Sequence, residues 1–131
     1  MGNRVKPLNE VEHKRLVLEE FITGEAVELE ANIGIIKTGQ VLAQNTSTGK
    51  WEVYDKTASS DGLNIPRRIY KGEEELDTDA SSDSLAAVVL REGRVDRDLV
   101  VGLDYKTDYK GTAELERNRI YLEEVLDNET N

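Results

Sequence analysis

Apolar and polar residues alternate along parts of the first half of the chain, and this pattern predicts short β-strands. Residues 26–31 (AVELEA) place an apolar or small residue at every other position, with acidic residues between them. Successive side chains of a strand point to opposite faces, so this segment is expected to be a half-buried strand. The segment Trp51-Glu52-Val53-Tyr54 alternates in the same way, which puts Trp51 and Val53 on one face.

The clearest local feature is a predicted β-hairpin that ends at Tyr54. A turn at residues 37–39 leads into a buried strand, and a second turn at residues 46–50 leads into the strand that starts at Trp51. Gly49 suits the second turn because glycine adopts positive φ without steric cost. Two strands joined by so short a turn are expected to pair antiparallel.

The middle of the chain predicts two further strands separated by an acidic connection. Residues 68–71 form a short candidate strand after Pro66, which cannot donate to a strand ladder. Residues 72–84 are a long connection rich in Asp and Glu. The continuous apolar run at residues 85–90 (LAAVVL) has strand length and predicts a strand buried on both faces.

Two interpretations of the C-terminal segment fit the pattern. In the preferred one, a short helix over residues 113–118 is followed by a strand over residues 119–125. In the alternative, one helix spans residues 112–126, with Leu115 and Leu122 on a shared face.

The first twenty residues mix charges with isolated apolar side chains and show no sustained helical stripe. They are interpreted as a flexible N-terminal arm that orders on a partner, or alternatively as a disordered leader without a role. Residues 21–131 then form the folded domain, and deleting residues 1–20 is expected to leave it folded. The fold class predicted is α/β and mainly β: a compact β-rich domain with one short C-terminal helix, preceded by the arm.

Composition narrows the function classes. Of the 131 residues, 37% are apolar and 34% are charged, so the expected core is small. Cysteine is absent, which excludes disulfides and thiolate chemistry. The net charge is −10, and the clusters of basic residues are confined to residues 14–15 and 67–68, which argues against nucleic-acid binding. No apolar run approaches the roughly 20 residues that cross a bilayer, so no membrane partner is expected.

Candidate catalytic chemistry is sparse. His13 is the only histidine and lies in the predicted arm, away from a scaffold that could orient it. The acidic connection fails the test for a calcium-binding EF-hand, because the sixth and twelfth positions counted from Asp77 are Ser82 and Val88. We therefore expect no catalytic residue, no metal and no cofactor, and a protein that is not an enzyme. A small hydrolase using Asp77, Asp79 and Asp83 remains the enzymatic alternative.

A succession of motifs resembles a known family. Residues 38–43 (TGQVLA) followed by residues 48–55 (TGKWEVYD) resemble the hairpin of the head decoration proteins of tailed bacteriophages, the lambda-type D family. Residues 86–95 (AAVVLREGRV) resemble the next signature of that family, an apolar strand that runs into G-x-V. The resemblance extends over residues 25–126. It is weakest at residues 65–70 (IPRRIY), where family members often carry an A-V-G-I-L strand.

The resemblance implies a trimer that decorates the exterior of a phage capsid at its three-fold positions, and stabilises it against the pressure of packaged DNA. Its partners would be the major capsid protein and two further copies of itself. It would be found in the virion, and in the host cytoplasm during assembly. The family's arm adds a strand to a sheet of the capsid protein. Carried onto this chain by position, the capsid-binding residues are Val5, Leu8, Val11, Leu16 and Leu18.

The runner-up is another phage structural or adaptor protein with a similar β domain, such as a head fibre base or a tail component. It would occupy a different symmetry position on the particle.

Overall fold

The computed structural model describes residues 15–80 and 82–126. Within these residues there are ten strands and one α-helix, α1 (Tyr109–Arg117), with a short 3-10 helix at Arg97–Leu99. The strands are β1 (Val17–Glu20), β2 (Glu25–Leu29), β3 (Ile35–Ile36), β4 (Val41–Gln44), β5 (Trp51–Val53), β6 (Arg68–Tyr70), β7 (Leu76–Asp77), β8 (Leu85–Leu90), β9 (Gly93–Asp96) and β10 (Ile120–Glu123). The prediction of a mainly β fold with one short C-terminal helix is confirmed.

Five of the strands close into a barrel in the order β2-β5-β4-β6-β8, with β8 pairing back to β2. The interior contains an apolar cluster to which every barrel strand contributes a side chain. Its fully or nearly fully buried members are Leu29, Ile36, Leu42, Trp51, Tyr70, Ala87 and Val89. Closure pairs each of the five strands with a neighbour on both sides, although β2 and β5 meet only at Leu29 and Trp51.

The predicted hairpin is confirmed as β4 and β5, which pair antiparallel with Ala43 opposite Glu52. The turn between them depends on Gly49, which has a φ of 79°, a region that side chains with a Cβ rarely adopt. Asn45 accepts hydrogen bonds within the turn from the backbone N–H groups of Ser47 and Thr48. The hairpin was predictable because its residues are close in sequence and its turn chemistry is local.

A three-stranded sheet packs beside the barrel in the order β10-β9-β1. Strand β9 runs parallel to β10 and antiparallel to β1. A second apolar cluster lies between this sheet, α1 and the outer face of β4. Its buried members are Leu16, Val41, Ala43, Tyr54, Ile69, Leu90, Val95, Leu103, Leu115 and Ile120.

The preferred interpretation of the C-terminal segment, a helix followed by a strand, is confirmed. The helix begins at Tyr109, earlier than predicted, because the Asp108 side chain caps it and accepts a hydrogen bond from the backbone N–H of Gly111. It ends because Arg119 has a φ of 64°, which no α-helix contains. One continuous helix over residues 112–126 is therefore wrong.

The expectation that residues 85–90 are buried on both faces is also wrong. Ala87 and Val89 lie inside the barrel, but Ala86 is exposed and the side chain of Val88 is 48% exposed. A continuous apolar run does not reveal which faces of a strand are covered, and here the outer face near Val88 has no covering element among the described residues. Val88 lies directly opposite Ala26 of β2, which is exposed as well.

The acidic connection at residues 72–84 contains strand β7, which sequence patterning did not predict. It pairs antiparallel with β3. Thr78 is fully buried and fixes the contact, since its hydroxyl donates to the Gly34 carbonyl (2.6 Å) and accepts from the Ile33 N–H (2.8 Å). The pairing joins residues 35 and 36 to residues 77 and 76, so no local pattern indicates it.

The boundary between arm and domain at residue 20 must be moved. Leu16 is 8% exposed and belongs to the second apolar cluster, and Val17–Glu20 form β1. Hydrogen bonds fix both ends of this strand: Asp96 N–H donates to the Leu16 carbonyl, and Phe21 N–H donates to the Glu92 carbonyl, each at 2.9 Å. Residues 16–20 are thus part of the fold, while residues 1–14 of the predicted arm lie outside the described residues.

This boundary leads to a stability prediction. Leu16→Ala should lower the free energy of unfolding by about 2–5 kcal/mol, because it removes buried methyl groups and leaves a cavity. Leu18→Ala, two residues later in β1 and only half-buried, should cost about 1 kcal/mol or less. Urea denaturation followed by circular dichroism measures both. Equal and small effects would show that residue 16 is not part of the core.

Candidate functional site

The five residues assigned to capsid binding separate into two groups. Val5, Leu8 and Val11 lie outside the described residues. Leu16 is buried in the second apolar cluster, so its side chain is not available to a partner. Leu18 lies on β1 and is half-buried.

Strand β1 lies at the edge of its sheet, directly after the first described residues of the chain. Among the described strands it pairs with β9 on one side only. An edge strand presents unpaired backbone donors and acceptors, which makes it a template for pairing with another chain. Residue 15, the first described residue, therefore lies next to a sheet edge that no described strand covers.

Ion pairs tie β1 to its neighbours. The Arg94 guanidinium on β9 donates to Glu123 of β10 and to Glu19 of β1, each at 2.9 Å. The hydrogen bond to Glu123, followed by that to Glu19, raises the pKa of Arg94 above its usual value. Lys71 forms a further ion pair with Glu20. All of these side chains are at least partly exposed, so each pair contributes little stability and serves mainly to fix the register.

The hairpin is linked to α1 by a buried hydrogen bond. Tyr54 follows β5, and its hydroxyl donates to Oδ2 of Asp108 at 2.6 Å. The other oxygen of Asp108 accepts from the Gly111 N–H at 2.8 Å and so caps the helix. Burial, and then the hydrogen bond to Asp108, raises the pKa of Tyr54 above its usual value of about 10. One carboxylate therefore holds the hairpin and the helix together.

A pocket of about 500 Å³ opens beside this hydrogen bond and is lined by Asp55, Lys56 and Asp104, among others. Its carboxylates are occupied by local turns. Asp55 accepts from both the N–H and the hydroxyl of Thr57, which lowers the pKa of Asp55. Asp104 accepts from the Lys106 N–H at 3.0 Å. These contacts shape the loops around the pocket.

The acidic residues that carried the hydrolase alternative also stabilise turns. Asp77 accepts from the Asp79 N–H at 3.0 Å, and Asp79 accepts from the Gly34 N–H at 3.3 Å. Together with Thr78 they hold the 72–84 connection against β3. Over the described ranges 15–80 and 82–126, no group of three or more His, Asp or Glu side chains could hold a metal ion. His13 lies outside those ranges.

Sequence reasoning missed one buried hydrogen bond and one exposed pair of apolar residues. The Tyr54–Asp108 hydrogen bond joins residues 54 positions apart, so local spacing gives no signal for it. The outward apolar pair of Ala26 and Val88 follows from applying the two-residue period of a strand to residues 85–90, once β2 and β8 are known to pair.

The chain matches no model of a known protein family, no curated protein and no solved structure. In the part of the chain that the structure describes, no helix has the length and apolar character needed to span a membrane.

The Tyr54–Asp108 hydrogen bond yields a pH-dependent prediction. Tyr54→Phe should lower the free energy of unfolding at neutral pH by about 1–3 kcal/mol, because a buried oxygen of Asp108 loses its donor. In the native protein the pKa of Tyr54 is raised, so its stabilisation is complete below about pH 10 and is lost as the pH rises further. The variant should therefore show a shallower loss of stability above pH 10.

Denaturant unfolding from pH 7 to pH 11 measures this difference. Tyr109→Phe is the matched control, since Tyr109 is 74% exposed and its hydroxyl has no part in this hydrogen bond. Identical curves for Tyr54→Phe and the wild type would contradict the assignment.

Proposed function

We propose that this chain is a capsid decoration protein that binds the outer surface of a phage head at its three-fold positions as a homotrimer. Its role is to stabilise the capsid against the pressure of packaged DNA. The observation that carries the proposal is that the residues of the two family-like motifs hold positions on which the fold depends, rather than scattered surface positions.

The first motif builds the barrel hairpin. Trp51 lies in the barrel interior, Gly49 forms the turn and Tyr54 binds the residue that caps α1. Thr48 and Gly49 lie in the exposed turn, whereas Trp51 and Tyr54 are buried. This motif therefore has a structural role in the chain, and that role is what supports the proposal.

The second motif builds the strand against which β1 is held. Gly93 begins β9 and lies so close to β1 that a Cβ at this position would be 2.3 Å from the Glu19 carbonyl oxygen. Val95, two residues later, is fully buried. The G-x-V sequence thus permits the close approach of the strand that connects the arm to the domain. The second motif therefore holds β1, the strand that follows the proposed arm. This favours a function in which the arm binds a partner.

The structure revises which arm residues we assign to the capsid. Leu16 serves the core and anchors β1, so the proposed capsid contact rests on Val5, Leu8 and Val11, with Leu18 at the margin. The net charge of −10 suits a position on the capsid exterior, away from the packaged DNA.

Deletion of residues 1–14 tests the role of the arm. It retains Leu16 and β1, so the domain should stay folded with an unchanged circular dichroism spectrum. Binding to expanded capsids should fall by about 100-fold or more, because three arms of one trimer act together and their loss removes the avidity. Co-sedimentation with capsids measures this. Equal binding by the truncated and full chains would contradict the arm assignment.

Deletion of residues 1–20 is the informative comparison. It also removes Leu16 and β1, so it should destabilise the domain itself, in contrast to the expectation from sequence. A loss of capsid binding in this longer deletion alone would point to unfolding and not to the arm.

Light scattering of the purified chain tests the assembly state. We expect three times the 14.7 kDa mass of one chain. Imaging of decorated capsids then distinguishes the three-fold position from that of a fibre base or a tail component. Failure to bind mature capsids at all would overturn the proposal.

A further inference from the structure

Four arginine residues line one small pocket at the C-terminal end of α1. The pocket has a volume of about 190 Å³ and is lined by Arg68, Arg91, Glu92, Arg117, Asn118 and Arg119. They come from β6, from the turn between β8 and β9, and from the end of α1 with the turn that follows it. We call this the arginine pocket. Its composition is unexpected in a chain with 27 acidic and 17 basic residues.

Three of the four arginines each have one carboxylate partner. Arg68 donates to Glu25 at 3.2 Å, Arg119 donates to Glu92 at 3.0 Å, and Arg117 pairs with Glu114. A guanidinium has five N–H donors, so these contacts leave most of its hydrogen-bonding capacity unused.

Arg91 differs from the others. Its guanidinium makes no ion pair with any carboxylate of the described residues, and its Nε is buried without a hydrogen-bond acceptor there. A buried donor without an acceptor is unfavourable, so the site gains from an added acceptor. With four guanidinium groups and the three carboxylates of Glu25, Glu92 and Glu114, the local balance is one excess positive charge.

Two of the guanidinium groups are held in place by aromatic rings. Arg119 lies 5.6 Å from the centre of the Phe21 ring, and Arg68 lies 5.8 Å from that of Trp51. Stacking of this kind favours arginine over lysine and limits the motion of the side chain. The donors of the pocket are thus partly fixed before anything binds, which lowers the entropic cost of binding.

We propose that the arginine pocket binds one oxyanion group, a carboxylate or a phosphate. Planar guanidinium groups form paired, charge-assisted hydrogen bonds with both. The pocket is smaller than the roughly 300–1,000 Å³ of pockets that enclose whole small molecules, so it accommodates a single anionic group. That group comes either from a free anion or from an acidic side chain of a protein partner. The site does not depend on the capsid function proposed above.

Titration with sodium phosphate tests the site on the full-length protein. The Nε–Hε signals of the arginines are followed by nuclear magnetic resonance at constant ionic strength, with sodium chloride as the reference titration. We expect a saturable shift of the Arg91 signal with phosphate and none with chloride. The absence of any saturable arginine shift would overturn the proposal.

Variants locate the binding. Arg91→Gln should weaken phosphate binding by about tenfold or more, the effect of losing one charge-assisted hydrogen bond. Arg117→Gln should weaken it in the same direction, and this highly exposed position is safe for folding. Arg67→Gln is the matched control, because Arg67 also has a buried Nε without an acceptor but does not line the pocket. If Arg67→Gln weakened phosphate binding as much as Arg91→Gln, the effect would reflect the lower positive charge of the protein and not a specific site. That result would overturn the proposal.

A second arm identifies the source of the anion. Arg91→Gln and Arg67→Gln are compared in light scattering and in capsid binding. A loss specific to Arg91→Gln, which phosphate reproduces in the wild type by competition, assigns the anion to a side chain of the partner. Unchanged assembly with the titration result intact assigns it to a free anion. Because the titration needs no capsid, the site and the proposed function fail independently.

Discussion

The fold depends on one strand that is buried on both of its faces. In β4, Leu42 points into the barrel, whereas Val41 and Ala43 point into the cluster beneath α1 and the three-stranded sheet. All three side chains are fully buried. A chain with only 37% apolar residues has little material for two separate cores, and β4 serves both because its two faces carry different buried side chains. Neither core is complete without the hairpin that contains β4.

This arrangement places the hairpin and the start of β1 in one apolar cluster. Tyr54, at the end of the hairpin, belongs to the outer cluster and binds the residue that caps α1. The same cluster contains Leu16, the residue just before β1. The start of β1 is therefore fixed by the same apolar contacts that hold the hairpin. A trimeric clamp of the kind we propose needs this rigidity, because three arms reach three sites together only if their origins are fixed.

Sequence patterning predicted what is local and missed what is distant. The hairpin and the C-terminal helix and strand depend on turn residues and caps within a few positions of each other. The β1–β9 and β3–β7 pairings join segments between about forty and eighty residues apart, and short strands with two to four residues carry too little periodicity to find. Leu16 was assigned to an arm because one apolar residue beside charges looks the same whether it is buried or free. The residues of the Tyr54–Asp108 hydrogen bond and of the arginine pocket are far apart in sequence. The fold brings them together, so no local sequence motif predicts either feature.

Arg94 and Arg91 lie three residues apart, but their side chains have different partners. Arg94 donates to two carboxylates, Glu19 and Glu123, and so connects β1 to β10 through partners that the chain itself supplies. Arg91 lies in the turn between β8 and β9 and forms no ion pair with a carboxylate of the described residues. This is so although acidic residues outnumber basic ones in the chain. The position of the half-buried Arg91 beside three other arginines is the observation on which the proposed anion site rests.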